Sequence, residues 1–260
     1  MSIKGKVALI TGSADGIGKG IALLFAKEGA RLMLCDINPV TLQQTEKEIK
    51  DLGAEVTSMV YDGRSLKDID SVFDKLFETY GGIDILVNNT GIAGAVKPIV
   101  EILPEEWDET LEVNLRGTFY CIKKAAPYMM SKKSGKIICL SSCSGKKSLR
   151  NRSPYCASKI AILGLVRCAA DELGEYEINV NAICPGLMEG TRMDTVLEGQ
   201  SKALGISKEE AKAIMVDAGM LKRPIPPDDV AQMALFLADD EKSRSITGQD
   251  FNVNCGTIVY

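Results

Sequence analysis

Tyr155 and Lys159 stand four residues apart in Tyr155-Cys-Ala-Ser-Lys159, and Ser142 lies thirteen residues ahead of the tyrosine. Residues four apart share one face of a helix, so the ammonium can lie near the phenol and favour its ionised form. Such a pairing suits an acid/base tyrosine, because a phenol with its ordinary pKa of about 10 is a poor base at neutral pH and a nearby cation corrects this. Tyr-x-x-x-Lys pairs also recur on solvated helix faces, so the weight of this one comes from its neighbours. The chain contains no histidine, which removes the Ser-His-Asp and Cys-His nucleophile systems and most catalytic zinc sites. Proton transfer falls to tyrosine, lysine or carboxylates.

A second constellation opens the chain. Val7-Ala-Leu-Ile-Thr11 is a strand-like run, followed by Gly12, Gly16 and Gly18 and then a helical pattern. Glycines suit a turn with unusual backbone angles that a pyrophosphate approaches closely, and the free N–H groups at the helix start hold the anion. The next strand-like run, Arg31-Leu-Met-Leu-Cys-Asp36, ends in a carboxylate 18 residues beyond Gly18. There an acidic side chain accepts hydrogen bonds from both adenosine ribose hydroxyls and repels a 2′-phosphate. Asp15 puts another negative charge in the turn. These two carboxylates predict NAD rather than NADP, although a strand-terminal Asp can also simply cap the following helix.

Apolar runs at 6–11, 31–36, 55–60, 84–88, 135–140, 178–184 and 249–253 alternate with helical patterns at about 16–28, 39–52, 65–80, 104–131, 154–174 and 227–238. This rhythm predicts an α/β fold: one Rossmann-type, doubly wound sheet of about seven parallel strands with helices on both faces. No linker or repeat divides residues 1–260, which read as a single dinucleotide-binding and catalytic domain. The rhythm lapses at 187–226, between Pro185-Gly186 and Pro224-Ile-Pro-Pro227. That stretch is expected to be a small helical insertion at the carboxyl edge of the sheet, either a substrate lid or a structural pair.

The hydrophobic fraction of 45 % and net charge of −4 fit an ordinary soluble protein and leave no basic footprint for nucleic acid. No run of 18 apolar residues suggests a membrane span, and the opening residues do not read as a signal peptide. The eight cysteines, without a Cys-x-x-Cys pair, are expected to be mostly small buried hydrophobes in a reducing cytoplasm.

Thr11-Gly-x-x-x-Gly-Ile-Gly18, Asp62 after the third strand, Asn88-Asn-Thr-Gly91 after the fourth, Asn114, Ser142, Tyr155-x-x-x-Lys159 and Pro185-Gly186 together resemble the motif set of the short-chain dehydrogenases/reductases, over essentially the whole chain. The resemblance implies that Tyr155 exchanges a proton with the substrate oxygen while hydride passes to or from nicotinamide. It further implies that Lys159 supports the tyrosine and binds the nicotinamide ribose, that Ser142 orients the substrate oxygen, and that Asn114 holds a water between lysine and solvent. Metal has no part in the implied site. The implied cofactor contacts are Gly12, Ser13, Asp15, Gly16, Ile17 and Gly18 at the turn, Asp36 and Ile37 at the ribose, and Asp62 and Gly63 at the adenine. Asn89, Gly91, Tyr155, Lys159, Pro185, Gly186, Met188 and Thr191 complete the set. Two departures stand out: Thr90 replaces an alanine, and Thr191 comes one position late, after Gly190.

The implied substrate is a small secondary alcohol or ketone such as a polyol, sugar derivative or hydroxy acid. Alternatives are a 3-oxoacyl-acyl-carrier reductase, a hydroxysteroid dehydrogenase under the apolar lid residues Met188, Met193, Leu197, Met215 and Met220, or an NAD-sensing binding protein without chemistry. Lys146, Lys147, Arg150 and Arg152 place four positive charges in seven residues ahead of Tyr155. They form either a binding wall for an anionic substrate or a solvated basic loop. Family resemblance also implies a homotetramer or homodimer packed through the helices at 104–131 and 154–174, where Leu163, Val166 and Ala170 could face either a symmetry mate or their own sheet.

Overall fold

The computed structural model of the chain describes residues 3–260, apart from the side chains of Thr191, Arg192 and Thr195. Seven strands form one sheet: β1 (Val7–Thr11), β2 (Arg31–Asp36), β3 (Val56–Val60), β4 (Ile85–Asn88), β5 (Gly135–Leu140), β6 (Ile178–Pro185) and β7 (Asp250–Val253). Their order is β3-β2-β1-β4-β5-β6-β7, and every pairing is parallel. The expected sheet is therefore present, with strand limits close to the apolar runs. Strands buried on both faces need unbroken apolar sequence, which is why these runs stand out.

Alternation within each strand divides the core in two. Val7 and Leu9 of β1, with Met33 and Cys35 of β2, face α3 (Leu66–Tyr80), α5 (Gly117–Lys132) and α6 (Ser153–Gly174). Ala8 and Ile10, with Leu32 and Leu34, face α1 (Gly16–Lys27), α2 (Pro39–Asp51) and α9 (Pro227–Ala238). Leu163, Val166 and Ala170 lie in the first of these cores, so they face their own sheet and not a symmetry mate.

One helical expectation is modified. The pattern at 104–131 is α4 (Pro104–Leu111) and α5 joined by a π-helical segment, Glu112–Arg116. The 187–226 insertion holds α7 (Thr191–Leu204) and α8 (Lys208–Asp217), and a short α10 (Asp240–Ser243) follows α9. Among the described residues no helix is long and apolar enough to cross a membrane. Cys35, Cys121, Cys139 and Cys184 are buried, whereas Cys143, Cys156 and Cys255 are half-buried and Cys168 is exposed. Burial pushes the Cys121 and Cys139 thiols up to about 12, which keeps them protonated and unreactive.

Candidate active site

Strand order reverses between β1 and β4, and ligands of open parallel sheets bind in the crevice outside the carboxyl ends of strands at such a switch point. Gly12, Asp36, Asp62, Asn89, Ser142 and Pro185 all lie at or just beyond strand carboxyl ends. The glycine turn is shaped by close approach. Gly12 and Gly16 adopt φ of 63° and 55°, in the left-handed region that favours glycine. A Cβ on Gly18 would stand 2.1 Å from the Gly12 carbonyl oxygen, so α1 can begin this near β1 only without a side chain there. The Asn89 amide closes the turn from β4, donating to the carbonyls of Thr11 at 3.1 Å and Gly12 at 2.7 Å. Thr11 Oγ1 in return accepts from the backbone N–H groups of Asn89 and Thr90. The result is a rigid cradle above the start of a twelve-residue helix, which fits a dinucleotide pyrophosphate.

Several candidate cofactor contacts have structural duties as well. Asp15 caps α1 by accepting from Gly16 N at 2.7 Å. Ser13 is buried and donates its hydroxyl to the Cys35 carbonyl. Ile17 packs partly into the second core. Asp36 accepts from the backbone N–H groups of Ala14 and Asn38, both at 3.0 Å, which fixes its carboxylate against the glycine turn. Ile37, beside it, is 61 % exposed. Asp62 is paired with Arg64 at 2.7 Å, and that guanidinium holds its carboxyl below the usual range. Gly63 lies under the Thr90 methyl: a Cβ there would stand 3.0 Å from Thr90 Cγ2. The Thr90 hydroxyl meets the buried Tyr61 phenol, so the departure from alanine is absorbed within the protein.

The candidate catalytic side chains come from the end of β5 and the first turns of α6. Lys159 is buried and donates through Nζ to the Leu140 carbonyl at 2.7 Å. The Ser141 hydroxyl donates to the Lys159 carbonyl at 2.8 Å. These two bonds lock the end of β5, and with it Ser142, against the helix that carries Tyr155. Ser142 Oγ accepts from Ser144 N at 3.1 Å, which orients the hydroxyl at a tight turn. Tyr155 is half-buried, with Lys159 Nζ 5.8 Å from its ring centroid.

Asn114 sits in the π-helical segment and is fully buried, unlike a solvent-facing mid-helix polar residue. Its side chain accepts from Ile92 N at 2.7 Å and donates to Ile92 O and Ser158 Oγ. One amide thus ties the backbone after β4 to the helix of Tyr155. Gly91 makes this possible, since a Cβ there would stand 3.0 Å from Asn114 Oδ1 and 3.4 Å from Lys159 Nζ. The register shift of a π-bulge turns the amide inward, as such bulges often do at functional sites.

The family model described as enoyl-(acyl carrier protein) reductase matches residues 12–257. A 3-oxoacyl-(acyl-carrier-protein) reductase of Thermotoga maritima is 36% identical over 259 residues, covering 100% of both chains. Galactitol 2-dehydrogenase of Agrobacterium fabrum is 36% identical over 257 residues, covering 98% of each. The chain belongs to the short-chain dehydrogenases/reductases. Among solved structures, a variant of actinorhodin polyketide ketoreductase with NADPH superposes with a TM-score of 0.94 at 33% identity over 98% of each chain. NAD+-bound xylitol dehydrogenase gives 0.94 at 30% identity, over 98% of this chain and 100% of that one. The protein is accordingly an oxidoreductase of CH–OH groups in a family whose members bind nicotinamide cofactors.

In this dehydrogenase/reductase the remaining candidate cofactor contacts lie between the end of β6 and the start of α7. Gly186 N donates to Val253 O at 3.0 Å, and Met188 bridges in parallel to Ile225. The Thr191 side chain lies outside the described residues. At Gly199 a Cβ would stand 3.0 Å from Val96 Cγ2, so α7 rests on the loop after β4. The basic loop does not act as one unit. Lys146 pairs with Asp250 and donates to the Tyr260 carbonyl, Arg150 is exposed, and Arg152 turns inward to 2 % exposure. Sequence reasoning missed this separation, as it missed Ser158 as the anchor of Asn114. The spacing held a signal for Ser158 alone, because positions 155, 158 and 159 recur at helical intervals on one face.

Proposed function

We propose that this protein interconverts a secondary alcohol and its ketone with NAD(H) as the redox partner, with Tyr155 as acid/base. The observation that supports the reading is the joining of β5 to α6 through Ser141 and Lys159, which ties the strand end that carries Ser142 to the helix that carries Tyr155. Bound nicotinamide supplies the hydride acceptor or donor. Tyr155 takes the hydroxyl proton during oxidation and returns it during reduction. Lys159, held by the Leu140 carbonyl, brings positive charge to the phenol, and Ser142 orients the substrate oxygen. Asn114 keeps the loop after β4 in register with α6. The insertion carrying α7 and α8 covers the substrate as a lid.

For the cofactor, Asp36 is the discriminating group. Its oxygens are fixed by backbone N–H groups, yet each retains capacity to accept from a ribose hydroxyl, while a 2′-phosphate would meet a carboxylate. Asp171 and Glu172, both exposed at the end of α6, disfavour docking of an acidic carrier protein and favour a free small molecule. The protein is expected to work in the cytoplasm, where thiols stay reduced, as a homotetramer or homodimer. Phe119 on α5, 47 % exposed beside Leu115, suits such an interface.

The test follows reduced nicotinamide absorbance for secondary alcohols and ketones, with NAD and NADP in parallel. NAD should be preferred, and Asp36→Ala should lower the NAD:NADP ratio of kcat/KM by about 10- to 100-fold, the worth of lost hydrogen bonds to a charged group. A parent enzyme more efficient with NADP would remove Asp36 from this role.

A further inference from the structure

The loop after β3 is stitched to the helical rod that carries Asn114. The Arg64 guanidinium, paired with Asp62, reaches on to Glu109 of α4 at 3.0 Å. Arg116, the last residue of the π-helical segment, donates through Nη2 to the Arg64 carbonyl at 3.0 Å and pairs with Glu112 at 2.9 Å. Backbone meets backbone at the same place, since a Cβ on Gly117 would stand 2.5 Å from the Gly63 carbonyl oxygen. Gly117 N donates to Glu112 O, five residues back, which is the bond of a π register. Slipping into the α register would turn Asn114 by one residue, about 100° around the helix axis, away from Ile92 and Ser158. These are the two discrete arrangements open to such a turn, and discrete arrangements are what coupling between separated sites works through. Strand order brings the far end of a dinucleotide to the same loop. The glycine cradle lies at the end of β1, Asp36 at the end of β2, and β3 is the next strand outward. A base extending beyond a ribose at Asp36 arrives at Asp62 and Gly63.

We propose that Arg116 is a positioning residue through which the adenine half of the cofactor sets the register of Asn114. This rests on the oxidoreductase reading above and on its seating of the cofactor. Adenine at Asp62 and Gly63 orders the loop after β3. Arg116 and the close approach of Gly63 to Gly117 carry that order into the π-helical segment. Asn114 then keeps its bonds to Ile92 and Ser158, which hold the loop after β4 in line with the helix of Tyr155. Binding energy from a part of the cofactor far from the reacting carbon is thereby used for turnover. Arg116 touches neither substrate nor nicotinamide in this scheme, and with its side chain 46 % exposed it can be replaced without opening the core.

The test uses AMP, which carries the adenine half alone. Hydrogen exchange of the parent protein, read by mass spectrometry, should slow at residues 112–118 by at least about fivefold with AMP bound, the low end of ordinary coupling free energies. Peptides from β7 and α10 should change little, because the effect is local and not a general gain in stability. In Arg116→Gln the protection at 112–118 should drop below about twofold. With the ketone that the parent turns over fastest, Arg116→Gln should lose about three- to tenfold in kcat, the worth of one hydrogen bond, at parent-like KM, NADH affinity and melting temperature. AMP leaving 112–118 unprotected, protecting β7 and α10 equally, or protecting Arg116→Gln as well as the parent would each overturn the assignment. So would parent-like kcat in Arg116→Gln, or a fall in its melting temperature and NADH affinity together, which would reduce Arg116 to a structural tie. Arg116-dependent protection by AMP in a protein that turns over no ketone would count against the oxidoreductase reading while leaving the coupling through Arg116 standing.

Discussion

Tyr155→Phe is expected to lower kcat by about 10²- to 10⁴-fold, the usual worth of a positioned general acid/base, while NADH still binds and the protein still folds. The expectation is sharp because the substitution deletes one oxygen and keeps the ring. Arg152 at 4.8 Å and Lys159 at 5.8 Å keep their aromatic neighbour, and the contact to Ser158 survives because it uses the Tyr155 backbone carbonyl. Initial rates, NADH fluorescence titration and a thermal melt separate the three properties. A variant that retained kcat within tenfold of the parent would show that proton transfer lies elsewhere, and the non-catalytic reading would then regain its force. Lys159→Ala would be a poorer probe: Lys159 is buried and bonded to Leu140, so its removal would disturb the packing of β5 on α6 along with the chemistry.

Much of the site was legible in the chain because its parts lie at places where sequence pattern and geometry coincide. Strand ends are marked by the close of apolar runs, and a parallel sheet puts every such end on one edge. Locating Gly12, Asp36, Asn89, Ser142 and Pro185 on that edge needed only the strand limits. Contacts made across the fold were not legible. Nothing local distinguishes Arg152 from Arg150, yet one is buried beside Tyr155 and the other is exposed, because the backbone entering α6 turns only the first toward the Ala93 carbonyl. Asn114 was recognisable by resemblance, but its inward orientation depends on the π-helical register at Glu112–Arg116. Thr90 was visible as a departure, and its partner Tyr61 was not, since 29 residues separate them.

Gly18→Ala is expected to be the most damaging single-methyl change in the cofactor cradle. An added Cβ would lie 2.1 Å from the Gly12 carbonyl oxygen and 2.6 Å from Asn89 Nδ2, and neither can withdraw freely. Gly12 is hemmed in by the Thr90 backbone, and the Asn89 amide is committed to two carbonyls. Relief requires α1 to move away from β1, which opens the second core at Ile21 and Phe25. Overpacking of this kind costs about 1–3 kcal/mol or more, so melting should fall by about 2–12 °C or more, at roughly 2–4 °C per kcal/mol for a domain near this size. Displacing the helix N-terminus should also weaken NADH binding by more than about tenfold. Gly16→Ala supplies the contrast, because among the described residues no atom outside its chain neighbours and the local helix backbone lies within 4 Å of the new Cβ and the φ of 55° is what opposes it, a cost of about 1–2 kcal/mol. Gly164→Ala, in open space within α6, should leave the melting temperature of the protein unchanged or slightly raised, since alanine favours helix over glycine by up to about 1 kcal/mol. The three substitutions add the same methyl group, so their order in melting temperature and NADH affinity separates close approach from backbone conformation. Parent-like NADH affinity in Gly18→Ala would show that the nearness of α1 to β1 is not what forms the cradle.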